Sequence, residues 1–104
     1  MQPAHVESSP PVLSAAGGGW VVEGPLTIGN VAAVLAESVG LPLPETGRVD
    51  LKGADPVDSA GVAILLEWKR RAAAERKSLA FDTIPPSVAS LAELYGVDTL
   101  LSAA

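Results

Sequence analysis

One long helical pattern between two short strand patterns is the feature that most limits which folds this sequence can adopt. Apolar residues recur at helical spacing from about Ser59 to Glu75 and form one face suited to packing on a sheet. Polar and apolar residues alternate in Arg48–Leu51 before it, and Ser78–Asp82 after it is a further strand candidate. A strand, a helix and a second strand in this order predict an α/β layer with parallel strand pairing.

Weaker patterns predict the remaining elements. Trp20–Glu23 is a strand candidate that is rich in β-forming residues. Helical spacing predicts an early helix over Val31–Val39, which Gly40 closes. A short last helix is expected to begin at Pro85-Pro86, because proline suits the first turn of a helix.

The first 19 residues differ in composition from the rest of the chain. Residues 1–19 are rich in Pro, Ser and Gly and sustain neither hydrophobic period, which predicts a flexible tail that is dispensable for folding. Gly17–Gly19 lacks the following Lys and Ser or Thr of a phosphate loop, which favours a flexible joint. The predicted domain therefore spans residues 20–101, and residues 102–104 form the C-terminal end.

Composition excludes several kinds of chemistry. The chain has 104 residues, no cysteine and one histidine, so thiolate catalysis, disulfides and Cys-based zinc sites are ruled out. The histidine, His5, lies in the predicted tail, and the sequence has no nucleophile elbow or dinucleotide fingerprint. We therefore expect a protein that is not an enzyme and has no metal or cofactor. The net charge of −5 argues against nucleic acid as a partner.

The basic residues are unevenly placed. Five of the seven Lys and Arg residues lie between Lys69 and Lys77, where positive charge complements the C-terminal end of the long helix. Because the whole chain is acidic, we interpret this cluster as a solvated helix end rather than a membrane or nucleic-acid site. The chain has no apolar run of about 18 residues and no secretory signal pattern, so we expect a cytoplasmic protein.

The start of the long helix is the one segment that suggests a binding site. Asp58-Ser59-Ala60-Gly61 stands where unpaired backbone N–H groups and a partial positive charge suit a phosphate or a partner's carboxylate. A simpler interpretation is that Asp58 or Ser59 caps the helix. On residue type alone, the plain cap is favoured.

The same segment carries a resemblance to a known family. The run Val49-Asp50-Leu51…Asp58-Ser59-Ala60-Gly61-Val62…Leu65-Leu66 resembles the signature of STAS domains, which occur in sulfate-transporter tails and anti-sigma-factor antagonists. The resemblance extends from Trp20 to about Leu101 and includes a segment, Phe81–Gly96, that is similar to the family's third helix. It implies a small α/β fold, a mixed β-sheet with helices packed largely on one face, and a docking subunit without catalytic activity.

The resemblance also assigns a role to Ser59. This position is a phosphorylated serine in anti-sigma-factor antagonists, and a hydroxyl residue here contacts the ATPase in the STAS subunit of the Mla-type phospholipid ABC transporter. Both cases imply a partner-facing Ser59. Only eight residues follow Gly96, too few for the last strand and helix that the antagonists usually add, so the chain more closely resembles the transporter subunit.

Two functions follow from this resemblance. The first is a cytoplasmic accessory subunit that binds and regulates the ATPase of a phospholipid ABC transporter, which maintains outer-membrane lipid asymmetry. That subunit is associated with the inner membrane through its partner. The alternative is an anti-sigma-factor antagonist switched by phosphorylation of Ser59.

Trp68 is a further candidate contact residue. It lies one turn after Ile64, beside the main buried face of the predicted helix, where a tryptophan serves either as an interface anchor or at the rim of a small core. The predicted partner-binding residues are therefore Asp58, Ser59, Ala60, Gly61 and Trp68.

Overall fold

The computed structural model describes residues 12–102 of the chain. Strands and helices alternate through most of this range, and the elements are β1 (Leu13–Ala16), β2 (Gly19–Leu26), α1 (Val31–Val39), β3 (Arg48–Val57), α2 (Ser59–Ala74), β4 (Ala80–Asp82), α3 (Pro86–Leu94) and α4 (Asp98–Ser102). Within this range the strands form one sheet in the order β1-β2-β3-β4. The pairs β2–β3 and β3–β4 are parallel, while β1 is antiparallel to β2. The predicted α/β fold with a mixed sheet is confirmed.

The predicted boundary of the tail at residue 19 is wrong. Leu13 pairs with Val22 in an antiparallel hairpin and is only 3% exposed. Gly17 and Gly18 both have positive φ, at 59° and 81°, and form the two-residue turn that joins β1 to β2. Glycine therefore serves here as a hairpin turn and not as a flexible joint. Residues 1–11 and 103–104 lie outside the described part of the chain.

The two central strands are longer than their sequence patterns predict. β2 continues through Gly24 and Pro25, and its register against β3 shifts between Val21 and Glu23 and again between Gly24 and Leu26. β3 continues beyond the strand candidate Arg48–Leu51 as far as Val57. Pairing between these two strands holds the backbone extended where local residue preference would end the strand.

The helices cover one face of the sheet, as the resemblance implies. Along β3 the residues directed towards the helices are buried, whereas Arg48 and Lys52 are exposed; the buried set is Val49, Leu51, Ala54 and Val57. Helix α2 crosses this face, and its length matches the predicted span within one residue. α2 begins at Ser59, directly after β3 ends at Val57. Packing of α2 on the sheet therefore places its first turn at the end of β3.

The C-terminal end contains an element that the sequence patterns do not predict. α4 is a short helix, and its Leu101 is buried against the core. Within residues 12–102, no strand follows β4. No helix in the same range is long and apolar enough to cross a membrane.

Candidate protein-binding site

Asp58 caps α2. One carboxylate oxygen of Asp58, Oδ1, accepts hydrogen bonds from the backbone N–H groups of Ala60 at 2.9 Å and Gly61 at 3.2 Å. This is the usual arrangement in which an N-cap side chain satisfies donors of the first helical turn. Of the two residues considered as caps, Asp58 therefore performs this role, and Ser59 is the first residue of the helix.

The second oxygen of Asp58 joins α2 to the loop that follows β2. Oδ2 accepts a hydrogen bond from the backbone N–H of Ile28 at 3.0 Å, and the backbone N–H of Asp58 donates to the carbonyl of Leu26 at 3.2 Å. These backbone donors, the Ile28 N–H above all, hold the pKa of the Asp58 carboxyl below its ordinary value. The charged carboxylate thus fixes the Ile28 loop beside the helix start.

Ser59 has an exposed side chain, and its hydroxyl makes no hydrogen bond to any residue in the described range. Ala60 is half-buried, and Ala63, one turn along the same helix, is exposed. Ile28, whose backbone N–H is bonded to Asp58, has a side chain that is 79% exposed. We call Ile28, Ser59, Ala60 and Ala63 the α2 N-terminal surface. It is small, mostly apolar, and contains one hydroxyl.

An apolar groove continues this surface between α1 and α2. Its volume is about 380 Å³. The lining residues are Val31, Ala32 and Leu35 from α1 and Ala60, Ala63, Ile64 and Glu67 from α2. The groove and the α2 N-terminal surface share Ala60 and Ala63. A protein that contacts Ser59 would therefore also contact the groove.

Gly61 packs inside the fold, and its prediction as a partner contact is wrong. The residue is buried, and a Cβ placed on it would lie 2.7 Å from Val57 Cγ1 and closer still to the carbonyl oxygen of Leu26. Only glycine permits this approach of α2 to the sheet. The role of Gly61 is to bring the start of α2 against β2.

Trp68 is also an interior residue, and the prediction that it binds a partner is wrong. It is 1% exposed. Its indole N–H donates to Ser38 Oγ at 2.9 Å, and its ring meets that of Trp20 edge-on with centroids 5.4 Å apart. The hydrogen bond to the buried hydroxyl of Ser38 satisfies the only polar group of the indole, so Trp68 fixes α2 against α1 from within.

The acidic side chains near the start of α2 are either bonded to backbone donors or exposed. The oxygens of Asp58 are bonded to backbone donors, and Asp55, its nearest acidic neighbour in sequence, is exposed. Within residues 12–102, no group of three acidic, His or Cys residues is placed to hold a metal ion. His5 lies outside the described residues.

Comparison with known proteins identifies the family. The fold is that of a small α/β domain whose helices cover one face of a mixed sheet. The family model described as "Mlab, STAS domain" matches residues 13–102. The chain therefore belongs to the STAS domain family. This family is generally non-catalytic, and membership indicates an accessory or anti-sigma-antagonist role.

One solved structure gives an independent likeness. A crystal structure of Mglu is similar over 71% of this chain, with a TM-score of 0.52 and 21% sequence identity. The match covers 19% of the Mglu chain, and the likeness concerns the fold alone. No curated protein sequence matches this chain.

Ile28 is the surface residue that sequence reasoning missed. It comes two residues after the end of β2, and a large apolar side chain such as isoleucine is most often buried. The signal that could have found it is the neighbouring Gly29-Asn30 pair, which favours a turn and hence an exposed preceding residue.

Proposed function

We propose that this protein is a non-catalytic accessory subunit that binds and regulates the ATPase of a phospholipid ABC transporter. The observation that carries the proposal is the exposed hydroxyl of Ser59, which makes no hydrogen bond to another residue of the described range 12–102. Asp58 supplies the helix cap, so Ser59 is left exposed at the first position of α2. A small hydroxyl side chain allows a partner's backbone to approach closely and can share a hydrogen bond with it.

The surroundings of Ser59 support protein docking. Ile28 is a large apolar side chain in solvent, and the groove between α1 and α2 is lined almost wholly by apolar side chains. Exposed apolar surface next to a polar rim is typical of protein-binding sites. We propose that the ATPase covers the α2 N-terminal surface and places an apolar side chain in this groove.

The proposed function implies where in the cell the protein acts. It acts on the cytoplasmic side of the inner membrane and is held there by its ATPase partner. The lipid asymmetry of the outer membrane is the property that such a transporter maintains.

Two measurements test the proposal. The cognate ATPase should form a complex with this protein in size-exclusion chromatography, and the rate of ATP hydrolysis by the transporter should change when the protein is removed. A transporter that purifies without the protein and hydrolyses ATP at the same rate when it is added would contradict the proposal.

The accessible Ser59 hydroxyl also favours a second candidate, an anti-sigma-factor antagonist. The Ser59 side chain is exposed, and no residue that the structure describes bonds its hydroxyl, so a kinase can reach it. In this case a kinase-like anti-sigma factor should phosphorylate Ser59 and lose its affinity for the modified protein. Mass spectrometry of the protein after incubation with that factor and ATP distinguishes the two functions.

A further inference from the structure

The opposite end of α2 carries a second groove with different chemistry. It has a volume of about 430 Å³ and lies between α2, the segment before β4, and α4. We call it the basic groove, and the residues that define its character are Leu66, Leu79 and Leu100 together with Lys69, Arg70 and Lys77. Leu79 is buried, whereas Arg70 and Lys77 are exposed. The groove therefore has an apolar interior and cationic edges.

The basic residues are clustered in one segment, although the chain as a whole is acidic. The net charge is −5, yet five of the seven basic residues lie between Lys69 and Lys77. Arg71 is used internally, because its guanidinium donates to the carbonyls of Ser38 and Leu41 at 2.8 and 2.7 Å. The cluster is thus more than a uniformly solvated helix end, since some members are structural and others line the groove.

The cations of the groove differ in how firmly they are held. Lys69 Nζ donates to the carbonyl of Leu79 at 2.6 Å and lies 5.7 Å from the centroid of the Phe81 ring, which fixes one cation on the inner wall. Arg70 pairs with Glu67, and Lys77 Nζ lies 3.8 Å from Glu75. Exposed pairs of this kind contribute little to stability, so an incoming anion can replace the glutamate partner.

Leu100 contributes an exposed apolar side chain to the basic groove. It is 56% exposed, while its neighbour Leu101 is buried in the core. Leu100 lies in the same groove as Arg70 and Lys77. An alkyl chain laid along the half-buried Leu66 and the exposed Leu100 would cover this surface and bring an anionic head to the two exposed cations.

The volume and the charge of the basic groove suit a small anionic amphiphile. Apolar side chains and cations line the same groove, so it can take both parts of such a molecule. Its volume lies in the range of about 300–1,000 Å³ that is typical of small-ligand sites. We propose that the basic groove binds a single anionic lipid, with its alkyl chain on Leu66 and Leu100 and its phosphate or carboxylate between Arg70 and Lys77.

Ser59 and Lys77 lie far apart along α2. A helix of 16 residues is about 24 Å long, and Ser59 is its first residue, whereas Lys77 follows its last residue, Ala74. Lys77→Gln should therefore weaken lipid binding and leave ATPase docking intact, and Ser59→Arg should do the reverse.

The test uses the whole chain and lysophosphatidylglycerol below its micelle concentration, with titration followed by calorimetry and by backbone amide NMR. We expect saturable binding that shifts amides of α2 from Leu66 onward and of α4. Lysophosphatidylcholine of the same chain length, whose head has no net charge, should bind about tenfold more weakly. Equal binding of the two lipids would overturn the proposal, as would shifts confined to another face.

Matched variants separate the groove from general charge attraction. Lys77→Gln removes a cation that lines the groove, and Arg76→Gln removes its exposed neighbour, which does not line it. Lys77→Gln should weaken binding about tenfold, and Arg76→Gln by less than about twofold. Ala73→Phe fills the groove without changing charge and should also abolish binding, with circular dichroism confirming the fold. Equal losses from Lys77→Gln and Arg76→Gln would contradict the proposal.

Two further probes identify what is recognised. Inorganic phosphate alone should produce only a small part of the shift, because it lacks the alkyl chain. A full response to phosphate would mean an anion site that does not need a lipid, and binding only to phosphatidylglycerol vesicles would mean a membrane-surface contact. Either result would overturn the proposal of a single bound lipid.

Discussion

Asp58 holds Ile28 by a hydrogen bond from the Ile28 N–H to Asp58 Oδ2, at 3.0 Å, across 30 residues of sequence. The same carboxylate caps α2 through its other oxygen. The position of the most exposed apolar side chain of the candidate site is therefore coupled to the helix on which Ser59 lies. This coupling pre-organises the α2 N-terminal surface, which lowers the entropy lost when a partner binds.

Asp58→Asn should separate the cap from the loop contact. The amide oxygen of asparagine can still accept from Ala60 and Gly61, but its NH2 group cannot accept from the Ile28 N–H. We expect a small loss of stability and a clear increase in the hydrogen-exchange rate of the Ile28 amide. Asp58→Ala, which removes both contacts, should lower the melting temperature further. An unchanged exchange rate in Asp58→Asn would show that the bond does not hold the loop.

The pH dependence of stability provides a second test of Asp58. Its folded-state pKa is lowered, so its contribution is fully present above the unfolded-state pKa of about 3.9. That contribution is lost as the pH falls through the lower folded-state value. The stability difference between wild type and Asp58→Asn, measured by urea unfolding, should therefore shrink below about pH 4. A difference that is constant from neutral to acid pH would contradict this role.

Gly61→Ala should destabilise the fold through a steric clash. The added Cβ would press on Val57 and on the carbonyl of Leu26, and overpacking of this kind costs about 1–3 kcal/mol. Gly40→Ala is the matched control, because the nearest atom, the carbonyl oxygen of Glu37, lies at an ordinary 3.5 Å. The control should be neutral or stabilising by up to about 1 kcal/mol. Equal effects of the two substitutions in urea unfolding would contradict the close approach at Gly61.

Trp68→Phe tests the interior role of Trp68. The substitution removes the donor to Ser38 Oγ and leaves a gap in the core, so we expect a loss of about 1–3 kcal/mol. The affinity for the partner, measured on folded protein, should stay unchanged because Trp68 is buried. A fall in affinity without a fall in stability would mean that the residue belongs to the interface after all.

The start of α2 shows what sequence could predict. The residue types at Asp58 and Ser59 indicated a helix start, and the family pattern indicated the fold, because both depend on local chemistry. Residue type does not show which of the two residues caps the helix, nor that the cap also bonds the Ile28 N–H, 30 residues away in sequence. The carboxylate of Asp58 has two oxygens and serves both partners.

The errors share a physical cause. β1 has only four residues, too few for a periodic pattern, and its Gly-rich turn resembles a linker in composition. Helical spacing predicts Trp68 beside the buried face, but α1 packs over that side and supplies Ser38. In each case the environment comes from a distant segment, which no local pattern contains.

Truncation tests the corrected domain boundary. A chain of residues 12–104 retains β1, and a chain of residues 20–104 lacks it. The shorter chain loses the burial of Leu13 and the hydrogen bond from the Glu23 N–H to the Val12 carbonyl at 2.8 Å. It should be less stable by more than about 2 kcal/mol. Equal unfolding midpoints of the two chains would support the domain boundary at residue 19 that the sequence pattern predicts.

Substitution of Ser59 tests the central claim most directly. Because Asp58 supplies the cap, Ser59→Ala should change stability by no more than about 0.5 kcal/mol. Ser59→Arg should also fold, since an exposed position can extend a long side chain into water. The measurement is titration of the cognate ATPase with both variants, with circular dichroism as the folding control. We predict near-normal binding for Ser59→Ala and loss of binding for Ser59→Arg, and unchanged affinity of folded Ser59→Arg would contradict the proposed interface.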